Sequence, residues 1–302
     1  MKIIDALQQA SSQMDSADLF FGHGTDNAWD EACFLLAHVL GCESLSQDQA
    51  QDEIPAPQLQ EFQTMVRRRV DEKLPAAYLT GRAWFAGFPF EVTRDVLVPR
   101  SPIAELIQRR YLPWAGEPPQ KVLDLCTGSG CIGIATALAM PQTQVCLADI
   151  SAPALEVARR NRDHFALQSQ VDLVLSDLFE QLGNRQFDLI VSNPPYVDQQ
   201  DVDDMPEEFQ REPLLGLAAG NDGLDLVRRI LLQAPDYLLP GGVLVCEVGN
   251  SAQALEQLYE QVPFTWVEFE MGGEGVFVLD RQTLLAFRES FEAAYNALRS
   301  SG

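Results

Sequence analysis

Apolar side chains recur every three or four positions through much of the first eighty residues, and this spacing predicts amphipathic helices. One predicted helix spans Trp29–Leu40 and another spans Glu61–Lys73. The stretch Ser44–Gln60 between them is polar and carries Pro55 and Pro57, so we expect a loop there. The beginning of the chain is therefore predicted to form a small helical domain.

The pattern changes between positions 84 and 99, where aromatic and β-branched residues are separated by turn residues. The runs Trp84–Val92 and Val96–Val98 predict a β-hairpin that joins the helical domain to the rest of the chain. A helix over Ile103–Tyr111 and a linker over Pro113–Pro119 are predicted to follow.

From Lys121 onward, short apolar runs alternate with helical patterns. The predicted strands are Lys121–Cys126, Gln144–Ile150, Val171–Ser176, Phe187–Val191, Gly242–Val248, Phe264–Glu270 and Gly275–Leu279. The predicted helices are Gly130–Met140, a helix capped by Ser151 that runs to about Ala166, Gly223–Leu238, Ser251–Gln261 and Thr283–Leu298. This alternation predicts an α/β fold with a doubly wound, mostly parallel sheet that ends in an antiparallel pair. We expect a helical domain over 1–83, a hairpin and linker over 84–119, and an α/β domain over 120–302.

Composition narrows the range of partners. The chain has 302 residues, of which 44 are acidic and 21 basic, giving a net charge of −23. This charge repels anionic membranes and bare nucleic acid, so we expect neither as a partner, whereas basic proteins would be attracted. The cysteines form no Cys-x-x-Cys pair and the histidines are scattered, so we expect reduced thiols and no metal site. The longest apolar run, Cys131–Met140, is too short to span a bilayer and the N-terminus lacks a signal-peptide pattern, so we expect a cytoplasmic protein.

A loop rich in small residues follows the first strand of the alternating part. It contains the spacing Gly128-x-Gly130-x-x-Gly133, and we call it the glycine loop. Small residues between a strand and a helix let the backbone approach a ligand closely. Asp149 ends the next strand and can bind ribose hydroxyl groups. These features fit a nicotinamide dehydrogenase as well as a methyltransferase, because the glycine spacing alone is unspecific.

Two further carboxylates favour S-adenosylmethionine over a dinucleotide. Asp124 directly precedes the glycines, where it would repel a pyrophosphate but suits a cofactor with a sulfonium and an ammonium group. Asp177 follows the third strand and can accept a hydrogen bond from an adenine amine, with Leu178 packing on the ring. Either aspartate alone is more typical of a turn or a helix cap. The predicted cofactor-binding residues are Asp124, Cys126, Thr127, Gly128, Ser129, Gly130, Asp149, Ile150, Asp177, Leu178 and Asn193.

The strand Phe187–Val191 leads into Asn193-Pro194-Pro195-Tyr196, which we call the acceptor motif. The two prolines end the strand and leave carbonyl groups free to accept hydrogen bonds. The asparagine adds an amide that donates and accepts, and the tyrosine adds a flat ring. Together they can hold a planar NH2 group, with one N–H on the asparagine oxygen and the other on a proline carbonyl. An ordinary Pro-rich turn is the alternative, but the glycine loop upstream favours catalytic roles for all four residues.

The glycine loop, Asp149, Asp177 and the acceptor motif resemble class I S-adenosylmethionine-dependent amino-methyltransferases. The N-terminal helices and hairpin resemble those of the protein-glutamine methyltransferases. The segments at 22–27, 98–102, 212–220, 246–250 and 272–277 are most similar to the branch of that family that acts on ribosomal protein three of the large subunit. The resemblance implies a Rossmann-like fold, S-adenosylmethionine as cofactor, methylation of a glutamine amide, and the ribosomal protein as partner.

Other substrates remain open at this point. Related glutamine methyltransferases act on peptide chain release factors, and the acceptor motif also serves enzymes that methylate amino groups of nucleic-acid bases. A nucleic-acid binder needs a basic stripe, whereas this chain shows only Arg67–Arg69. We interpret these arginines as the solvated face of a helix, with a contact to an acidic partner as the alternative.

The segment Val197–Asp222 follows the acceptor motif and is long for a loop, which is typical of functional loops. The acidic residues that suggest this role are Asp198, Asp201, Asp203, Asp204, Glu207, Glu208 and Glu212, against the basic Arg211. A solvated surface loop is one interpretation. We favour an acidic wall of the substrate cleft, which would speed the encounter with a basic ribosomal protein.

Overall fold

The computed structural model describes residues 1–115, 118–198, 201 and 205–301. The N-terminal part is helical, as the periodicity predicts. Its helices are α1 (Ile3–Asp15), α2 (Ala28–Leu40), α3 (Ala56–Glu72) and α4 (Ala76–Thr80), with a short 3-10 helix over Gln47–Gln51. Their apolar faces meet in a separate core that includes Met14, Leu35, Leu36 and Phe62, all of which are buried.

The loop predicted over Ser44–Gln60 is too long, because α3 already begins at Ala56. Pro55 occupies the N-cap position of this helix and Pro57 lies in its first turn. A helix does not use the backbone N–H groups of its first turn, so proline is tolerated there and does not exclude a helix.

The predicted hairpin is present, but its second strand is not at Val96–Val98. Strands β1 (Arg82–Phe85) and β2 (Phe88–Glu91) pair antiparallel, with Phe85 opposite Phe88. The two residues between them, Ala86 and Gly87, both have positive φ angles of 50° and 86°. Positive φ at both central residues of a two-residue hairpin loop is the type I′ arrangement, which matches the natural twist of the strands.

The rest of the chain forms a seven-stranded sheet with the order β5-β4-β3-β6-β7-β9-β8. Its strands are β3 (Lys121–Leu125), β4 (Gln144–Asp149), β5 (Val171–Leu175), β6 (Phe187–Ser192), β7 (Leu238–Glu247), β8 (Thr265–Trp266) and β9 (Val276–Asp280). Strands β3 to β7 run parallel, and β9 pairs antiparallel with both β7 and β8. The predicted sheet type and its antiparallel end are therefore confirmed, although β8 is only two residues long.

Helices cover both faces of this sheet. They are α5 (Ile103–Gln108), α6 (Cys131–Ala139), α7 (Ala152–His164), α8 (Asp225–Tyr237), α9 (Ala252–Leu258), α10 (Arg281–Ala286) and α11 (Arg288–Ser301). Ser151 caps α7 as predicted, because its side chain accepts a hydrogen bond from the Ala154 N–H. The predicted C-terminal helix is divided in two at Phe287.

Two apolar clusters pack on the opposite faces of the sheet. One contains Ile190 and Leu244 with α8, and the other contains Leu189 and Val245 with α6. Neighbouring residues of one strand thus face opposite cores, which explains why the parallel strands are continuous apolar runs. Within the described ranges, no helix has the length and apolar character that crossing a membrane would require.

Candidate active site

A cavity of about 700 Å³ opens at the carboxyl ends of β3, β4 and β6. The chain leaves β3 toward β4 on one side and adds β6 on the other, and ligands of open α/β sheets bind at such a reversal. The predicted site residues that line the cavity are Cys126, Thr127, Gly128, Ser129, Asp149, Ile150, Asp177, Leu178, Asn193, Pro194, Pro195 and Tyr196. The structure therefore brings these residues together, whereas Asp124 and Gly130 lie behind the wall.

Asp124 is fully buried beneath the glycine loop. Its Oδ2 atom accepts hydrogen bonds from the Thr127 hydroxyl group and, at 2.8 Å, from the Gly133 N–H. Burial raises the pKa of the Asp124 carboxyl group to about 7, although both hydrogen bonds oppose the rise. The sequence predicts that this carboxylate contacts a cofactor, but Asp124 is not among the residues that line the cavity. Its hydrogen bonds instead hold the loop in position.

Gly130 starts α6 with a φ of +80°. A Cβ atom at this position would lie 2.9 Å from Ile134 Cδ1 and 3.1 Å from both the Ala158 Cβ and Leu147 Cδ1 atoms. The glycine therefore allows α6 to pack closely against the neighbouring strand and helix. Its effect on the cavity is to set the position of the loop rather than to contact a ligand.

Asp149 joins the glycine loop to the start of α7. Its Oδ2 atom accepts a hydrogen bond from the Gly128 N–H at 2.8 Å, and its Oδ1 atom accepts one from the Ser151 N–H at 2.9 Å. Burial raises the pKa of this carboxyl group, while the backbone hydrogen bonds favour its charged form. The carboxylate thus shapes the cavity wall and also presents charge to it.

Asp177 has a partner that the sequence did not predict. Its carboxylate forms an ion pair with Arg229 of α8 at 2.9 Å, and both residues line the cavity. The neighbouring Leu178 has a positive φ of 49° and is buried, with part of its surface on the cavity. A cofactor amine at Asp177 would therefore share the carboxylate with a guanidinium group.

The acceptor motif is held by its backbone. The Tyr196 carbonyl accepts a hydrogen bond from the Ser251 hydroxyl group at 2.8 Å. The next residue, Val197, pairs with Leu217 and Ala219 through backbone hydrogen bonds of 2.9 Å each. No hydrogen bond joins the half-buried Asn193 side chain to any part of the chain that the structure describes, so its amide is available to a ligand.

Glu247 is a buried cavity residue whose role the sequence did not reveal. Its carboxylate accepts hydrogen bonds from the hydroxyl groups of Ser101 and Tyr196. Burial raises the pKa of Glu247, and the two hydrogen bonds oppose this effect. The segments at 98–102 and 246–250 were noticed only for their resemblance, because nothing in a single sequence shows that they meet.

Arg100 and Glu212 form a second buried contact that sequence reasoning missed. The guanidinium group of Arg100 binds both carboxylate oxygens of Glu212 at 2.7 Å, and the Val98 N–H donates to the same carboxylate at 2.9 Å. Burial alone would raise the pKa of Glu212, but the His23 ring, whose Nε2 atom lies 3.6 Å away, and the hydrogen bonds from Arg100 outweigh it and lower the pKa to about 2. Glu212 therefore stays charged and fixes the cavity wall.

The acidic wall that the sequence predicts is only partly exposed. Glu208 and Glu212 are buried in ion pairs, so they do not meet solvent as expected. Asp198, Asp201 and Glu207 are exposed or half-buried, whereas Asp203 and Asp204 lie outside the described residues. The charges of these two buried carboxylates are compensated by Arg69 and Arg100, which lie far away in the sequence.

Comparison with known proteins identifies two families along the chain. Residues 5–81 match the family described as PrmC N-terminal domain, and residues 111–212 match the family described as Methyltransferase small domain. The first match covers the N-terminal helices and the second covers the strands that carry the cavity.

Two curated relatives match nearly the whole chain. The ribosomal protein uL3 glutamine methyltransferase of Francisella tularensis subsp. tularensis is 43% identical over 296 residues, covering 96% of this chain and 93% of the relative. The protein of the same name from Xanthomonas campestris pv. campestris is 46% identical over 286 residues, covering 94% of this chain and 92% of the relative.

The fold is also similar to that of a solved methyltransferase. The hMettl16 catalytic domain, solved in complex with MAT2A 3'UTR hairpin 6, superposes with a TM-score of 0.52 and 17% identity. The match covers 78% of this chain and 86% of that domain. At this level of identity, the similarity concerns the fold alone.

Proposed function

Because the chain belongs to the family of ribosomal protein uL3 glutamine methyltransferases, we propose that it methylates the side-chain amide nitrogen of a glutamine in that ribosomal protein. The observation that supports this most directly is the position of the acceptor motif, which lies at the carboxyl end of β6 and lines the same cavity as the glycine loop. An amide-binding group and a cofactor loop on one cavity are what methyl transfer to an amide requires.

S-adenosylmethionine supplies an electrophilic methyl group on a cationic sulfur atom when it is bound. The lining fits such a cofactor, because Asp149 and Asp177 offer carboxylates to hydroxyl and amine groups, and Ile150 and Leu178 offer apolar surface to a ring. A cavity of about 700 Å³ is also within the usual range for ligand sites. We assign Cys126–Ser129 to the backbone contacts of the cofactor. Asp124 and Gly130 are assigned to support of this loop.

The amide nitrogen of glutamine is a poor nucleophile, because its lone pair is conjugated with the carbonyl group. We assign the Asn193 side-chain oxygen and the Pro194 carbonyl to accept hydrogen bonds from the two N–H groups of the substrate amide. These contacts fix the nitrogen in one orientation and favour positive charge that develops on it. Pro195 keeps the backbone rigid at this point, and the Tyr196 ring forms the adjoining wall.

Charge supports a basic protein as the substrate. The net charge of −23 attracts a basic partner and repels nucleic acid. Asp201 lines the cavity, although its carboxylate also accepts a hydrogen bond from the Asn250 side chain. The proposed encounter with the ribosomal protein therefore depends on the whole acidic surface more than on the buried Glu208 and Glu212.

We divide the chain into three parts with different roles. We assign residues 1–83 to substrate recognition, 84–119 to the hairpin and linker, and 120–302 to methyl transfer. A cytoplasmic location is part of the proposal, because the proposed substrate is a ribosomal protein. A release factor remains the competing protein substrate, and a nucleic-acid base is disfavoured by the charge.

A competition assay tests the proposal. Purified protein and methyl-labelled S-adenosylmethionine are incubated with equal amounts of ribosomal protein uL3, a peptide chain release factor and a structured RNA. We expect the label in the ribosomal protein. Preferential labelling of the release factor or the RNA would contradict the proposed substrate, and absence of any labelling would contradict the reaction.

A further inference from the structure

The guanidinium group of Arg69 is buried and links three separate segments. Its side chain is only 1% exposed. It donates hydrogen bonds to Glu31 of α2, to Glu208 at 3.1 Å and to the Phe20 carbonyl at 2.8 Å. The sequence placed Arg69 on the outer face of α3, which is wrong: α3 turns this arginine inward, because two buried carboxylates compensate its charge. We call Arg69, Glu31 and Glu208 the Arg69 cluster.

Glu208 belongs to a different part of the molecule from its partners. It lies in the wall segment, residues 205–217, which follows the acceptor motif and contributes Met205, Pro206 and Phe209 to the cavity. The Glu208 carboxylate also accepts a hydrogen bond from the Phe20 N–H at 3.0 Å. The wall of the cavity is thus attached to the N-terminal helices through a fully buried ion pair.

Phe209 lines the cavity and also contacts the N-terminal part of the chain. Its ring lies 5.2 Å from the Phe20 ring, 4.5 Å from the His23 ring and 5.1 Å from the Arg100 guanidinium group. Arg100 in turn binds Glu212 at the other end of the same turn. The residues that line the cavity here are therefore held from both sides by buried carboxylates.

The far end of the wall segment reaches the acceptor motif itself. Leu217 at the end of this segment, and Ala219 just beyond it, form backbone hydrogen bonds with Val197, the residue that directly follows Tyr196. A displacement of the wall segment at Glu208 would therefore be transmitted to a backbone that pairs with the motif. Errors of about 1 Å in the position of a substrate can cost about 100-fold in rate.

We propose that Arg69 and Glu208 are a positioning pair. Through this pair the N-terminal helices hold the wall segment of the cavity in the position that methyl transfer requires. Neither residue touches the substrate amide. The N-terminal helices then contribute to turnover and not only to binding of the protein substrate. The inference rests on the proposed methyl transfer.

The Arg69 cluster provides a matched pair of variants. Glu208→Gln and Glu31→Gln each neutralise one buried carboxylate on the same guanidinium group. Both leave the other carboxylate in place to compensate the arginine, so both are expected to destabilise the fold similarly. Only Glu208 belongs to the wall segment, since Glu31 lies in α2 and its second oxygen accepts a hydrogen bond from the Thr25 hydroxyl group.

The experiment compares steady-state methylation of ribosomal protein uL3 by the wild type and the two variants, with melting temperatures measured in parallel. We expect Glu208→Gln to lower kcat about tenfold, well within what displacement of a reacting group can cost. Its KM for S-adenosylmethionine should stay within about twofold of the wild-type value, since the cofactor loop is untouched. Glu31→Gln should keep kcat within about twofold at a similar loss of melting temperature.

Equal kcat losses in both variants, or an unchanged kcat in Glu208→Gln, would overturn the inference. If either glutamine variant does not fold, the comparison is made with Glu208→Asp and Glu31→Asp, which keep the charge but withdraw the carboxylate, and the same outcomes decide. A wild-type enzyme that leaves the ribosomal protein unmodified would instead contradict the proposed function, so the two failures are distinguishable.

Discussion

The Tyr196 hydroxyl group donates a hydrogen bond to the Glu247 carboxylate at 3.1 Å. The Tyr196 ring lies against the backbone of Gly249. A Cβ atom at position 249 would lie only 2.5 Å from the Tyr196 Cε2 atom. The last residue of the acceptor motif is therefore fixed at its hydroxyl group by the end of β7 and along its ring by the following glycine. This contact places a buried carboxylate on the wall where the substrate amide is proposed to bind.

Glu247→Gln is expected to lower kcat about tenfold, which corresponds to about 1.4 kcal/mol. The Ser101 and Tyr196 hydroxyl groups donate to different oxygens of the carboxylate, and glutamine replaces one of these oxygens with an NH2 group that cannot accept. Tyr196 would then lose its fixed orientation in part of the molecules. Steady-state kinetics with the ribosomal protein measure the effect, and Glu292→Gln on the exposed side of α11 serves as the control. Unchanged turnover in Glu247→Gln would show that the contact is structural only.

Asn193→Ala should reduce kcat by about 100- to 1000-fold, the usual loss when one preorganised polar group is removed from a reaction site. Because the side chain has no hydrogen-bond partner within the described ranges, its removal should leave the fold intact. Single-turnover rates and cofactor titrations on the same preparation separate the two effects. Retention of more than about a tenth of the wild-type rate would contradict the role assigned to this amide.

Asp149→Ala should weaken S-adenosylmethionine binding by about 1.5–3 kcal/mol, the usual contribution of a hydrogen bond to a charged group. The variant also leaves the Gly128 and Ser151 N–H groups without their carboxylate partner, so the melting temperature should fall. Calorimetric titration at a temperature where both proteins are folded checks the affinity. Equal affinities would contradict the assignment, and tighter binding of NAD than of S-adenosylmethionine by the wild type would contradict the cofactor.

Asp124 should make stability depend on pH. Burial raises the pKa of this carboxyl group from 3.8 to about 7 in the folded protein. The folded protein therefore binds the proton more tightly than the unfolded chain, and the contribution of Asp124 to stability falls as pH rises from about 4 through about 7. Relative to Asp124→Asn, the free energy of unfolding of the wild type should fall by up to about 4 kcal/mol, since a pKa change of one corresponds to about 1.36 kcal/mol. Denaturant unfolding of both proteins at several pH values measures this difference. A free energy of unfolding that changes with pH in the same way in the wild type and in Asp124→Asn would contradict the prediction.

The alternating part of the chain was predictable because each parallel strand is buried on both faces. Runs such as Leu189 to Val191 are apolar without interruption, and turn residues mark where they end. The hairpin was placed less well, because its turn is made by Ala86 and Gly87 rather than by a pair with a strong turn signal. The sequence predicts the start of α3 too late, because Pro55 and Pro57 suggest a loop although they lie at the N-terminus of this helix.

The candidate site was predictable where it is local in sequence. The glycine loop and the acceptor motif each lie within a few residues of a strand end, and parallel strands bring such ends to one edge. The contacts of Glu208 with Arg69 and of Glu247 with Ser101 join residues 139 and 146 positions apart. A single sequence carries no signal for such pairs, so it predicts an exposed position for Glu208 and indicates no role for Glu247.

Peptide-level mass spectrometry of ribosomal protein uL3 tests methyl transfer to a glutamine amide most directly. The ribosomal protein is incubated with S-adenosylmethionine and either the wild type or Asn193→Ala, then digested and fragmented. We expect one added methyl group on the side-chain nitrogen of a glutamine with the wild type, and almost none with the variant. A methyl group on another residue type, or equal modification by both proteins, would contradict it.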